Sequence, residues 1–269
     1  MPVYWFALSQ INNINICKAI WVFIILHFFI YPASNGYNSY MDKDTDSIGC
    51  VENPLSATKQ LYYASIFLDL AGLLLGLLVS NQFTFLLLLY IIASKSYSYS
   101  GIRLKKFPLI SYFIAIVFQG GIVYFMVFNS CCILQNNYLP LLPMAVSTLF
   151  VGSFYPLTQI YQHRQDAVSN IKTISMMLGY RGTFLLSFIM SFTAMLLTGY
   201  YFASNLELDR FLVLSVCMFP SVFFLLRWYI KVKQNINEVS YKNSTKMNWI
   251  AATGSNLAFI IILIIKNKF

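Results

Sequence analysis

Carboxylates are scarce in this sequence: 9 Asp and Glu stand among 269 residues, against 18 Lys and Arg and 2 His. Charged residues reach only 10%, hydrophobic residues 58%, and mean hydropathy is +0.66. An ordinary soluble domain carries about a quarter charged residues, so that class is excluded. Cysteine is also poor evidence for anything: five residues, an odd number without metal-ligand spacing, make neither a disulfide framework nor a zinc site. Met1–Leu8 lacks a basic n-region and is too short for the apolar core of a signal peptide. No aromatic–basic pattern accompanies the net charge of +9, which excludes nucleic acid as a partner and reads as membrane topology beside anionic headgroups.

Long apolar runs are what the chain does have. Lipid leaves a bare backbone unsatisfied, so a span needs about 20 mostly apolar residues in a helix. Eight segments answer: Cys17–Ala33, Thr58–Val79, Phe83–Ser96, Phe107–Phe128, Leu139–Leu157, Thr183–Ala203, Phe211–Ile230 and Asn248–Ile265. The third is interrupted by Ser and Lys at Ser94–Ser96. The sequence therefore predicts an all-α polytopic membrane bundle of eight transmembrane helices, with residues 1–269 as a single domain. Fourteen of the 18 Lys and Arg fall in the loops after the odd-numbered segments, which places those loops in the cytoplasm. Few outer charges and basic inner loops suit a bacterial inner membrane.

The few acids are concentrated. NSYMDKDTDSIG (Asn38–Gly49) holds Asp42, Asp44 and Asp46. Asn38, Asp42 and Asp46 stand at i, i+4 and i+8, so on a helix they share one face. Three oxygen donors so placed make a hard-cation site suited to Mg²⁺ beside a phosphate. An EF-hand needs Gly and Glu where Ser47 and Asn53 stand, so that reading fails. A CDP-alcohol-type transferase fails too, for want of a D-G-x-x-A-R segment; a solvated acidic loop remains open. The second acidic region, YPLTQIYQHRQDAVSNIKT (Tyr155–Thr173), lies four crossings later on the same side.

This combination resembles the UbiA superfamily of membrane prenyltransferases, over nearly the whole chain. Asn38, Asp42 and Asp46 match that family's N-x-x-x-D-x-x-x-D motif. Asp166 and Thr173 match its later D-x-x-x-G-x-x-T continuation, while the preceding Asp of the pair falls on Gln162 and the Gly on Asn170. YSYSGIRLKK (Tyr97–Lys106) is similar to its tyrosine-plus-basic loop. The resemblance implies a nine-helix fold whose first helix is largely missing here, with Val3–Leu8 as its tail; the chain begins late or is a shortened variant. It also implies Mg²⁺-dependent transfer of a prenyl group from an isoprenoid diphosphate to an aromatic acceptor, quinone-type or a related lipid, at the cytoplasmic mouth of the bundle. Asn38, Asp42, Asp46, Gln162 and Asp166 would hold metal, with Asp42, Asp46 and Asp166 the catalytic carboxylates. Arg103, Lys105 and Lys172 would contact the diphosphate, with Arg164 and Lys106 as further candidates.

Two ionisable residues stand apart from the acidic clusters. Asp69 lies inside the second apolar segment, where a carboxylate is costly and is read as paired with a neighbouring Ser, Tyr or Asn. His27 reads as a packed helix residue bonded to a neighbour. The competing functional classes are a small transporter or lipid-binding protein working through Asp69, and a UbiA-like homologue without activity, motivated by Gln162 and Asn170.

Overall fold

Leu185, Ile189, Phe192, Leu196 and Tyr200 follow one another at three- and four-residue steps along one helix, and all five are exposed. A stripe of that period is one helix face, and its apolar character fits lipid rather than water. Leu212, Val216, Phe219, Phe223, Leu226 and Ile230 repeat the pattern on the next helix. The same outward oiliness runs round the bundle, which makes this an integral membrane protein.

The computed structural model describes residues 2–43, 47, 51–133 and 139–266. Within them the helices are α1 (Pro2–Ser9), α2 (Ile16–Asp42), α3 (Lys59–Gly76), α4 (Asn81–Ser98), α5 (Pro108–Cys131), α6 (Leu141–Gln159), α7 (His163–Val168), α8 (Ile174–Ser204), α9 (Leu208–Gln234) and α10 (Tyr241–Lys266). Among the described residues the only β pairing is a single bridge, Ile14 to Cys132. Eight of these helices are long and follow the eight apolar segments. Six of the eight (α2, α5, α6, α8, α9 and α10) are long and apolar enough to cross a membrane by composition. The other two, α3 and α4, have 18 residues each but carry Lys59 and Asp69, and Lys95 among serines. Val3–Leu8 is indeed helical, within α1, and its Tyr4 hydroxyl donates to the Ala19 carbonyl at 2.8 Å.

The largest buried cluster gathers Phe6, Leu8, Ile25, Leu26, Phe83, Leu87, Tyr124, Phe202 and Phe259 from six helices. A second cluster, with Leu157, Phe184, Leu225, Trp228 and Met247, packs α6, α8, α9 and α10 below α7. Close backbone approach is needed between α5 and α6: a Cβ on Gly120 would lie 2.6 Å from Thr148 Cα, so only Gly lets the two helices meet there.

Two features go beyond the apolar runs. Lys95 lies in the last turn of α4 and pairs with Asp69 of α3 at 2.6 Å, the ammonium also standing 4.1 Å over the Tyr37 ring. Asp69 is thus structurally paired, as expected, but to a cation rather than to Ser, Tyr or Asn. A lone carboxylate in apolar surroundings is far costlier than a matched pair, and the sequence pattern does not show which helix supplies the match. The sixth segment also starts earlier than its apolar run. α8 begins at Ile174 and kinks at Gly179, whose φ of 67° and ψ of 177° interrupt the helix.

His27 Nδ1 is 3.0 Å from the Phe23 carbonyl and its ring stacks on Phe23, a packed helix residue as read from the sequence.

Candidate active site at the polar end of the bundle

Asp42 closes α2, and Lys43 follows in the left-handed conformation with φ 51°. The helix face therefore carries Asn38 and Asp42, and the helix ends there. Asp46, with Asp44, lies outside the described residues. Lys105 sits in a short 3₁₀ turn, Leu104–Lys106, entered through Arg103 at φ 47°. That turn folds the Lys105 ammonium onto the Asp42 carboxylate as a buried ion pair. The charge of Arg103 also acts on Asp42.

The second acidic region reaches the same place by a different route. After α6, Gln162 leads into α7, which carries Asp166 in its first turn. Asn170 then turns the chain at φ 53°. Asn is the side chain that tolerates this region best after Gly, so Asn170 standing at the family's Gly position keeps the turn. Thr173 caps α8, its hydroxyl accepting from the Met176 amide at 3.4 Å. The carboxamide of Gln162 donates to the Ser47 carbonyl at a long 3.4 Å, joining the two acidic regions directly.

These elements enclose a cavity of about 170 Å³ lined by residues that include Asp42, Tyr97, Lys105, Gln162, Asp166 and Thr173. Asp42, Gln162, Asp166 and Lys105 are thus brought together. Asn38 lines the adjoining cavity, about 200 Å³, instead. Lys106, Arg164 and Lys172 are exposed, and none of them, nor Arg103, is on the wall of the first cavity.

A third cavity, about 480 Å³, runs deeper between the helices, past Phe150, Phe154, Leu214 and Met218 to Phe6 and Phe259. Tyr155 lines all three spaces, and its hydroxyl meets that of Tyr97 at 2.7 Å. A charged, oxygen-rich chamber therefore shares a wall with an apolar one, an arrangement suited to an anionic head with an oily tail. The sequence reading quoted both tyrosines but gave them no partner, because their pairing spans α4 and α6.

Among the described residues no three His, Cys, Asp or Glu cluster as a metal site. The donors present are two carboxylates and the amides of Asn38 and Gln162, and Asn38 Oδ1 is buried without a hydrogen bond from any described residue. All are hard oxygen donors, the set that Mg²⁺ accepts. At the start of α7, His163 Nε2 is 2.7 Å from Ser175 Oγ, and its ring stacks on Tyr180 at 4.8 Å. Burial pushes this imidazole below the ordinary histidine range.

No curated protein matches the sequence. Solved structures do. The apo UbiA homologue of Aeropyrum pernix K1 superposes with a TM-score of 0.69 at 17% identity, over 99% of this chain and 94% of that one. Digeranylgeranylglyceryl phosphate synthase gives 0.64 at 16%, over 100% and 92%. The Archaeoglobus fulgidus UbiA homologue bound to DMAPP and Mg²⁺ gives 0.64 at 16%, over 97% and 93%. At such identities the likeness establishes the fold. The profile of the UbiA prenyltransferase family matches residues 1–252 of the sequence itself. With the bundle, its two acidic regions and that match together, the chain belongs to the UbiA prenyltransferase family and is an integral membrane prenyltransferase.

Proposed function

We propose that this chain transfers a prenyl group from an isoprenoid diphosphate to an aromatic acceptor, as one domain over residues 1–269, with its polar mouth facing the cytoplasm of a bacterial inner membrane. One observation carries the reading: Asp42 and Asp166, from distant regions of the chain, line one chamber with Lys105, and Tyr155 lines both it and the apolar cavity of about 480 Å³. The Archaeoglobus fulgidus homologue binds DMAPP with Mg²⁺ and GPP with Mg²⁺, and the same ligand class fits here.

Asn38, Asp42, Gln162 and Asp166 would hold Mg²⁺, with Asp46 the further carboxylate of the first region. When bound, Mg²⁺ supplies charge neutralisation for the departing diphosphate. Lys105, already buried against Asp42, offers the phosphate a movable point charge, and Arg103 stands behind it as a second cation. The apolar cavity holds the hydrocarbon tail and keeps water from the allylic carbon. In the transfer the C1–O bond breaks with its electron pair passing to the diphosphate. An acceptor carbon bonds to C1, and the proton it displaces leaves to water at the mouth.

The test uses the protein in nanodiscs with radiolabelled geranyl, farnesyl and geranylgeranyl diphosphates, aromatic acceptors, and Mg²⁺ or EDTA. A lipid product that requires Mg²⁺ and disappears in Asp42→Ala and in Asp166→Ala is expected. Full activity in either variant would remove that carboxylate from the site. Neither product nor Mg²⁺-dependent donor retention in the unaltered protein would end the prenyltransfer reading.

A further inference from the structure

One carboxylate in the polar chamber faces two claims. Lys105 and Asp42 form a buried ion pair, and both line the cavity of about 170 Å³ together with Gln162 and Asp166. Asp42 is also the carboxylate that the reading above gives to Mg²⁺. Apart from two tyrosines, the ionisable residues on that wall are Asp42, Asp166 and Lys105. Without the ammonium, an empty chamber would hold carboxylates with no counter-cation, an expensive state for a buried site. Lys105 is therefore the charge that lets the chamber exist unliganded.

A divalent cation arriving at Asp42 meets that ammonium. Two cations on one carboxylate repel each other at short range. An ammonium driven off Asp42 but kept in the chamber becomes an unpaired buried charge in its turn. A diphosphate relieves both difficulties, because it gives the ammonium an anion to turn to. Metal and diphosphate thus assist each other at this site, and Lys105 is the reason.

The side chain and its turn suit a change of partner. Lysine carries a compact charge on a flexible four-carbon stem, so the ammonium can pass from one oxygen to another without the backbone moving. The turn is closed by its own backbone: the Arg103 amide donates to the Tyr99 carbonyl at 2.6 Å, and the Lys106 amide to the Arg103 carbonyl at 3.0 Å. Arg103 stands at φ 47°, where a residue other than Gly is uncommon. Strained positions of this kind gather at ligand clamps and switch regions.

We infer that Lys105 stands in for the metal: its ammonium occupies Asp42 while the chamber is empty, hinders Mg²⁺ from binding alone, and turns to the diphosphate when metal and donor arrive together. The inference rests on the prenyltransfer reading above. It differs from a plain phosphate contact in one respect, that Lys105 opposes the metal as well as holding the donor.

The experiment uses the full chain in nanodiscs, with Mn²⁺ as a paramagnetic replacement for Mg²⁺ and radiolabelled geranyl thiolodiphosphate as a donor analogue that does not react. Electron paramagnetic resonance gives Mn²⁺ affinity with and without the analogue, and retention of label at saturating Mn²⁺ gives analogue affinity. In the unaltered protein the analogue should tighten Mn²⁺ binding at least about tenfold. Equal Mn²⁺ affinity with and without it would overturn the inference, whatever the variants do. Lys105→Met should bind Mn²⁺ alone at least about tenfold more tightly than the unaltered protein, and retain the analogue at least about tenfold more weakly. The gain in Mn²⁺ affinity should vanish when Asp42→Ala is added, and Lys105→Arg, which keeps the cation, should not show it. A residue that only contacts phosphate would leave Mn²⁺ binding unchanged in Lys105→Met, and one that only supports the fold would weaken both affinities; either result overturns the inference. Mn²⁺ that binds the unaltered protein neither alone nor with the analogue would bring down the prenyltransfer reading, and this inference with it.

Discussion

The hydroxyls of Tyr97 and Tyr155 meet at 2.7 Å, joining α4 to α6, and Tyr155 lines both the charged chamber and the apolar one. That bond is the one side-chain hydrogen bond either hydroxyl makes among the described residues. Removing either hydroxyl strands the other, so Tyr97→Phe and Tyr155→Phe should each cost about 1–3 kcal/mol. The double Phe variant should lose less than the sum of the two. Unfolding of all four proteins in one detergent checks this, and strictly additive losses would show the hydroxyls to be uncoupled.

Asp69 and Lys95 form an ion pair between α3 and α4, 2.6 Å apart and largely shielded from solvent. Removing one partner leaves a buried charge uncompensated, which costs about 3–5 kcal/mol. Lys95→Met alone should thus destabilise strongly, while Asp69→Leu with Lys95→Met should recover most of the loss. Unfolding midpoints of the three proteins decide it. A harmless Lys95→Met would return Asp69 to consideration as a midplane transport residue.

Gly179 has φ 67° and ψ 177°, a region that only Gly occupies at low cost, and nothing lies within 4 Å of where a Cβ would stand. Gly179→Ala should therefore destabilise through backbone strain alone, by about 1–3 kcal/mol. Gly182→Ala meets Leu178 Cβ at 2.9 Å but has no positive φ, and so makes the steric comparison. Equal tolerance of both in thermal unfolding would show that the kink relaxes.

Burial holds His163 below its ordinary pKa. The unfolded chain therefore binds a proton at a higher pH than the folded one, so stability falls as pH drops below about 6.5 and levels off below the folded value. His163→Gln should show a flatter dependence between pH 7.5 and 5.5. Parallel slopes for the two proteins would mean that the imidazole does not titrate differently on folding.

Much of this was legible in the residues. Segment positions followed from apolar run length, because lipid permits little else than a helix. Asn38, Asp42 and Asp166 stood out because acids are rare here and their spacing is regular. Gln162 and Asn170 looked like defects in the second motif. In the structure Asn170 keeps the left-handed turn, and Gln162 donates a hydrogen bond to Ser47 that a carboxylate could not make. The Lys95–Asp69 pair was hidden, since its two residues stand in different apolar segments and no local pattern links them.

By itself, then, the sequence determined class, helix positions and the gathering of its acids in two regions at one end of the bundle. Those depend on local composition, which each segment carries alone. Tertiary structure decided which charges neutralise each other, and that Lys105 lies on Asp42 rather than in solvent. Such relationships depend on how helices distant in the chain rotate against one another, and a one-dimensional pattern does not encode that rotation in any single stretch.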